Sequence, residues 1–208
     1  MYCMNICAWE TKDKKKVRKR RKKYANVASV AVLAAVFCVS GWAVAGPESR
    51  STAVPKTGQT MSYDTGDDGD LRKGTAWPSP RFTDHGDTVT DNLTGLMWIK
   101  APHSLAGNSG AQTYHGAIAF CTGLNYAGYS DWRLPNVREL HSLIDYGCYY
   151  PALPSGHPFP GVRSSNYWSS TTHVGYADRA WFVFLYHGNV SLNVKSTSYD
   201  VWPVRSGE

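Results

Sequence analysis

Beyond residue 45 this 208-residue chain has only two cysteines, Cys121 and Cys148; the others, Cys3, Cys7 and Cys38, lie before that point. An isolated pair argues against a cysteine metal centre and, in an oxidising compartment, for a disulfide, with two buried thiols as the alternative. Closing that loop would stabilise the fold by roughly 3–4 kcal/mol on the chain-entropy model. The histidines (His85, His103, His115, His141, His157, His173 and His187) show no metal-ligand spacing. No Gly-x-Ser-x-Gly elbow is present, so Ser169, Ser170, His173 and Asp178, which invite a triad reading, lack the strained nucleophile turn that such chemistry needs. There is no internal repeat and no long periodic helix. Positive charge is also scarce once the first 45 residues are set aside. The chain as a whole carries +6, but residues 46–208 hold 12 Lys and Arg against 14 Asp and Glu, a net of −2. That balance argues against nucleic acid as a partner.

The missing basic groups sit in a run that ends at Lys23. It is followed by an uncharged apolar stretch, Val27 to Ala45, closing in Ala43-Val44-Ala45 before Gly46-Pro47. A positive region, an apolar region and an Ala-x-Ala site make residues 1–45 a signal peptide. An uncleaved signal anchor is the rival reading, since the stretch approaches the roughly 20 residues that span a bilayer. Either way the basic residues stay cytoplasmic and the remainder is exported, to the periplasm, cell surface or medium, with membrane contact only through this segment.

Residues 46–60 read as a small, polar linker and residues 61–208 as one domain. Thr113 to Leu124 places Ala117, Ile118, Phe120, Cys121 and Leu124 at helical spacing. Asn136 to Ile144 sets Val137, Leu140, Leu143 and Ile144 on one face, with Asn136 as N-cap. Short β-prone runs occupy 88–90, 96–99, 167–170, 180–185, 189–194 and 201–205, and His187-Gly188-Asn189 is a hairpin turn signal. The class is α+β: two short helices, a small, mostly antiparallel sheet and long loops.

Two Trp-centred blocks then become specific: Asp91-Asn92-Leu93-Thr94-Gly95-Leu96-Met97-Trp98 and Asp131-Trp132-Arg133-Leu134-Pro135. Ahead of them stand Pro55–Thr60, Gly66–Asp70 and Pro80–Asp84. Ala119-Phe120-Cys121 lies between them, and Tyr167–Thr171, Ala180–Phe184 and Trp202-Pro203-Val204-Arg205 follow. In this order the chain resembles the Lcl C-terminal domain family, named after the end module of a bacterial collagen-like adhesin. The resemblance implies a fold related to C-type lectins and formylglycine-generating enzymes, and an adhesive role with sulfated glycans among the ligands. The cysteine pair that formylglycine generation needs late in the domain is absent.

The blocks themselves read as a brace. Trp98, Trp132, Trp168, Trp181 and Trp202 are large payloads for a core, with indole N–H groups that need partners. Pro135 opens the second helix, and Arg133 is placed to pair with Asp131 or Asp145; ligand contact by Arg133 is the alternative. Asp64, Asp67, Asp68 and Asp70 form an acidic, Gly-rich loop that is a candidate Ca²⁺ site. Asp64, Asp68 and Gly69 match EF-hand positions, but Gly66 and Thr75 stand where further ligands belong, and a solvated acidic turn is the other reading. The lectin calcium signature is incomplete as well, because Leu134 precedes Pro135-Asn136 and no Trp-Asn-Asp triplet occurs.

These features lead to an exported, non-enzymatic recognition module that binds a glycan or a surface protein. The alternatives are a structural or assembly module, with a homo-oligomer as one form of it, and an enzyme derived from the related oxidase fold. Tyr149 and Tyr176 are candidate stacking platforms. Arg138, Arg163, Arg179 and Lys195 are candidate contacts for an anionic ligand, alongside Arg133 and Arg205. Convergence of three such cations on one face would support polyanion binding, and pairing of each with a carboxylate would remove it.

Overall fold

The computed structural model describes residues 54–108 and 110–207. The reading of residues 1–45 as a signal segment therefore lies outside the described residues. The elements are helix α1 (Asp68–Leu71), strands β1 (Phe82–Asp84), β2 (Thr88–Asp91) and β3 (Leu96–Ile99), and a 3₁₀ turn (Pro102–Ser104). Next come β4 (Gln112–Thr113), helix α2 (Tyr114–Thr122) and helix α3 (Val137–His141). Strands β5 (Asn166–His173), β6 (Tyr176–Phe184), β7 (Asn189–Val194), β8 (Ser198–Tyr199) and β9 (Val204–Ser206) complete the chain. They form three antiparallel sheets, ordered β1-β2-β3-β9, β5-β6-β7 and β4-β8. The α+β expectation holds broadly, in a fold that is mostly β. Among the described residues there are three helices where two were expected, because Asp67 caps an additional turn by accepting the Asp70 N–H.

Residues 54–60 are part of the folded unit rather than linker. The Lys56 N–H donates to the Thr75 carbonyl, the Thr75 N–H donates to the Val54 carbonyl, and the Tyr146 N–H donates to the Thr57 carbonyl. Gly58 is required there: its φ is +90°, and a Cβ would lie 2.1 Å from Asp145 Oδ1 and 2.8 Å from the Trp77 ring.

The Trp132–Pro135 turn joins the two larger sheets. Arg133 and Val204 exchange N–H···O=C bonds of 2.9 Å in both directions, tying the turn to β9. Two residues on, the Pro135 carbonyl accepts the Ser170 N–H of β5 at 2.7 Å. Alternation then sends neighbouring side chains into different cores. Trp132 enters the larger cluster with Trp98, Leu140, Leu143 and Trp202, while Leu134 enters the smaller one with Tyr114, Cys121, Trp168 and Phe182. Arg133 points outward between them. Its guanidinium forks onto Glu139, with both N···O distances at 2.7 Å, and Glu139 also accepts the Asn136 N–H. This completes a capping box at the start of α3. The partner is Glu139 rather than the expected Asp131 or Asp145, because the N3 position of α3 brings that carboxylate back over the turn. Asp131 pairs with Arg205 instead, at 2.7 Å.

Four of the five Trp residues of the expected brace are buried; Trp181 is not. It lies half-buried on β6, in neither cluster. Trp202 packs edge-on to Trp98 (5.5 Å) and Phe159 (4.9 Å), and donates its indole N–H to the Ile99 carbonyl. Trp132 and Trp168 donate to the carbonyls of Tyr126 and Gln112. The Trp98 N–H is buried without a partner among the described residues.

Two polar groups inside the fold were not singled out from sequence. Arg81 forks onto the fully buried Asp91 (2.7 and 3.0 Å) and donates to the Ser142 carbonyl, while its guanidinium lies over Trp77 and Phe82. His103 bonds the Tyr167 hydroxyl through Nε2, and its Nδ1 stands 3.9 Å from Asp200, which also holds Arg163 at 3.0 Å. Burial pushes the imidazoles of His103, His141 and His157 below their ordinary value.

Two predictions follow from these groups. Replacing Arg81 with Met leaves Asp91 as a buried, unpaired charge and should lower the unfolding free energy by about 3–5 kcal/mol, measured by urea titration. The histidines are held neutral in the fold but are free to protonate in the unfolded chain. Their contribution is complete above pH 6.5 and is lost as the pH falls through the depressed folded values. Unfolding free energy should therefore be lower at pH 5 than at pH 7.5, and an equal value at both would contradict this assignment.

Candidate functional site

The residues available for binding gather at the free end of the β5-β6-β7 sheet. Strands β5 and β6 meet in a tight turn at Val174-Gly175, where Val174 is fully exposed and His173 pairs with Tyr176. The β5–β6 register slips between Trp168 and Thr172 and again before His173, which re-aims the side chains at the tip. As a result the His173 ring stacks on Tyr176 (5.1 Å, 28° between planes) and lies 5.5 Å from Trp181. The Arg179 guanidinium rests over the Tyr176 ring at 5.1 Å, and its Nε is buried with no hydrogen-bond partner among the described residues. One strand across, Val194 is the register partner of Arg179, and Lys195 follows it.

Lys195 is fixed by its backbone. Its N–H donates to the Asp178 carbonyl, and its carbonyl accepts the Tyr114 N–H at the start of α2. Its ammonium lies over the Tyr114 ring at 4.7 Å. An open cleft of about 660 Å³ is lined here by Thr113, His115, Asp178 and Lys195. Among the described residues neither Arg179 nor Lys195 forms an ion pair with a carboxylate. Aromatic faces beside cations and hydroxyls can stack on a sugar ring and hold an anionic or hydroxyl substituent.

The other sequence candidates are placed elsewhere. Arg133, Arg163 and Arg205 are held by Glu139, Asp200 and Asp131. Arg138 is exposed on α3. Tyr149 belongs to a separate exposed patch with Tyr146, Tyr150 and Tyr186, in which Tyr150 and Tyr186 meet edge to face at 5.2 Å. Arg179 and Lys195 thus stand on neighbouring strands over different rings, Tyr176 and Tyr114, and three cations are not brought onto one face. The Ser169 hydroxyl donates to the Trp181 carbonyl at 2.7 Å, which ties it to the sheet rather than to a histidine.

The acidic loop directs its oxygens at its own turn. Asp67 accepts N–H groups from Tyr63, Asp64 and Asp70, and these bonds hold its carboxyl below the usual range. Asp64 accepts from Thr65, Asp70 from Gly66, and Asp68 from the Thr57 hydroxyl. No three His, Cys, Asp or Glu side chains among the described residues are grouped to hold a metal ion. Asp64, Asp67 and Asp70 thus cap backbone N–H groups of their own loop.

The expected Cys121–Cys148 disulfide is not formed. Cys121 is fully buried on α2 in the smaller cluster, where burial pushes its thiol up to about 12. Cys148 lies in the loop after α3, its N–H on the Asp145 carbonyl and its sulfur 3.8 Å from the Asp145 carboxylate. The helix and the loop hold the two sulfurs in different surroundings. Replacing Cys121 with Ala should therefore cost about 1 kcal/mol, the scale of losing a small buried side chain. The 2–5 kcal/mol typical of removing a native disulfide would restore the cross-link. Urea unfolding of both proteins, with and without reductant, makes the comparison.

Among curated proteins none matches the chain. Residues 87–205 match the Lcl C-terminal domain, a span that takes in β2 through most of β9 together with the Arg133 clamp and the β5–β6 tip. The chain belongs to the Lcl C-terminal domain family.

Proposed function

We propose that this protein is an exported, non-enzymatic recognition module of the adhesin type, which holds anionic glycan chains at the β5–β6 tip. The observation that carries this reading is two cations without a carboxylate partner among the described residues: Arg179, over the exposed Tyr176 that stacks on His173, and Lys195, over Tyr114 at the neighbouring cleft. Family membership supports a surface, adhesin-like role, and the sheets packed with short helices suit a C-type-lectin-like architecture.

The ligand class follows from the balance of charge. Two cations cannot neutralise a dense polyanion, and Asp178 lines the same cleft. A sparsely charged sugar chain fits better, with its rings on Tyr176 and His173 and its acidic substituents on Arg179 and Lys195. The oxygens of the acidic loop are engaged locally, so recognition proceeds without a calcium bridge. A second reading, an assembly module, draws on the Tyr146, Tyr149, Tyr150 and Tyr186 patch, since exposed aromatic surface suits a protein partner.

The test is a glycan array on the purified full-length chain, with and without EDTA. Binding to sulfated or carboxylated glycans is expected, unchanged by EDTA and weakened about tenfold or more when Arg179 and Lys195 are both replaced by Ala. Raising salt from 50 to 200 mM should weaken it further. Binding to no glycan, together with a concentration-dependent oligomer in light scattering, would transfer the function to the tyrosine patch.

A further inference from the structure

A second cavity lies outside the family-matched residues. It is bounded by the segment 56–60, by α1 and by the chain at Ala76-Trp77, and encloses about 350 Å³. That is the lower end of the size of small-molecule sites. Trp77 is its aromatic wall and is held at two points: its indole N–H donates to the Lys56 carbonyl at 2.9 Å, and the Arg81 guanidinium lies 4.7 Å from its ring. Arg81 is itself locked onto the buried Asp91, so the indole is fixed before any ligand arrives.

Around this ring stand side chains with hydrogen-bonding capacity to spare. Asp68 uses one carboxylate oxygen on the Thr57 hydroxyl and keeps the other. Arg72 donates through Nε to the Gly69 carbonyl and through Nη2 to the Thr60 carbonyl, which leaves Nη1. Among the described residues, no partner is found for the Gln59 amide or the Lys56 ammonium. The rim is therefore mixed in charge and rich in both donors and acceptors.

We propose that this cavity is a binding site for a neutral pyranose ring, separate from the Arg179–Lys195 face and independent of it. The chemistry selects this class by elimination. A free anion meets the Asp68 carboxylate, and a free cation meets Arg72 and Lys56. A flat hydrocarbon ring satisfies Trp77 but buries the polar rim without partners, which is unfavourable. A pyranose has an apolar C–H face for the indole and a circle of hydroxyls that both donate and accept. Its size matches one ring in the cavity. Arg81 covers one side of Trp77, and the sugar takes the other.

The test is ligand-observed saturation-transfer NMR on the purified full-length chain, using methyl glycosides of glucose, galactose, mannose and N-acetylglucosamine as probes. Transfer to the ring protons of at least one glycoside is expected. It should fall about fivefold or more in Trp77→Ala and in the milder Gln59→Ala/Asp68→Asn double variant, and stay unchanged in Arg179→Ala/Lys195→Ala. The double variant keeps the test valid if loss of Trp77 unfolds the domain. No transfer to any glycoside overturns the proposal. Transfer that survives in the folded double variant also overturns it, as does transfer lost only with Arg179 and Lys195, which would assign the sugar to the other face.

Discussion

Two backbone hydrogen bonds between Arg133 and Val204 hold this fold together. They fix a turn that belongs to neither large sheet against the last strand of one, while Pro135 fixes it against the first strand of the other. Because the turn is extended at that point, Trp132 and Leu134 face different ways and each becomes part of a different core. The Arg133 side chain is then obliged to face out. Its fork onto Glu139 joins the turn to the helix that follows, so one short stretch sets the relation between two sheets and α3.

The second constraint is electrostatic and buried. Asp91 is wholly inside the fold, which is tolerable only because Arg81, the Leu93 N–H and the Thr94 hydroxyl all meet it. Arg81 in turn carries Trp77 on its guanidinium and bonds to the residue just after α3. The N-terminal part of the domain, which family membership does not cover, is thus attached to the rest through a charge pair and a ring.

Local pattern made much of this visible in the sequence. Strands β3 and β7 fall where alternation and turn residues put them, and Asn136 with Glu139 three places on is a capping signal that acts locally. What depends on long-range partners was not visible. Trp181 looks like its four buried counterparts, yet its place at the sheet end leaves it half-exposed. Arg133 chose its partner by helix geometry rather than by sequence distance. The two late cysteines invited a cross-link, but α2 buries one while a loop carries the other. At the tip, Tyr176, Arg179 and Lys195 could each be named from sequence. The stacking of Tyr176 on His173 follows two register slips that no pattern announces.

The Val174-Gly175 turn makes almost no contact with either core, and the aromatic and basic groups beside it contribute little to holding the sheets together. The residues that pack the cores and those exposed at the tip are thus different positions along the same two strands. A lineage carrying this domain can rewrite the tip many times without crossing its stability threshold.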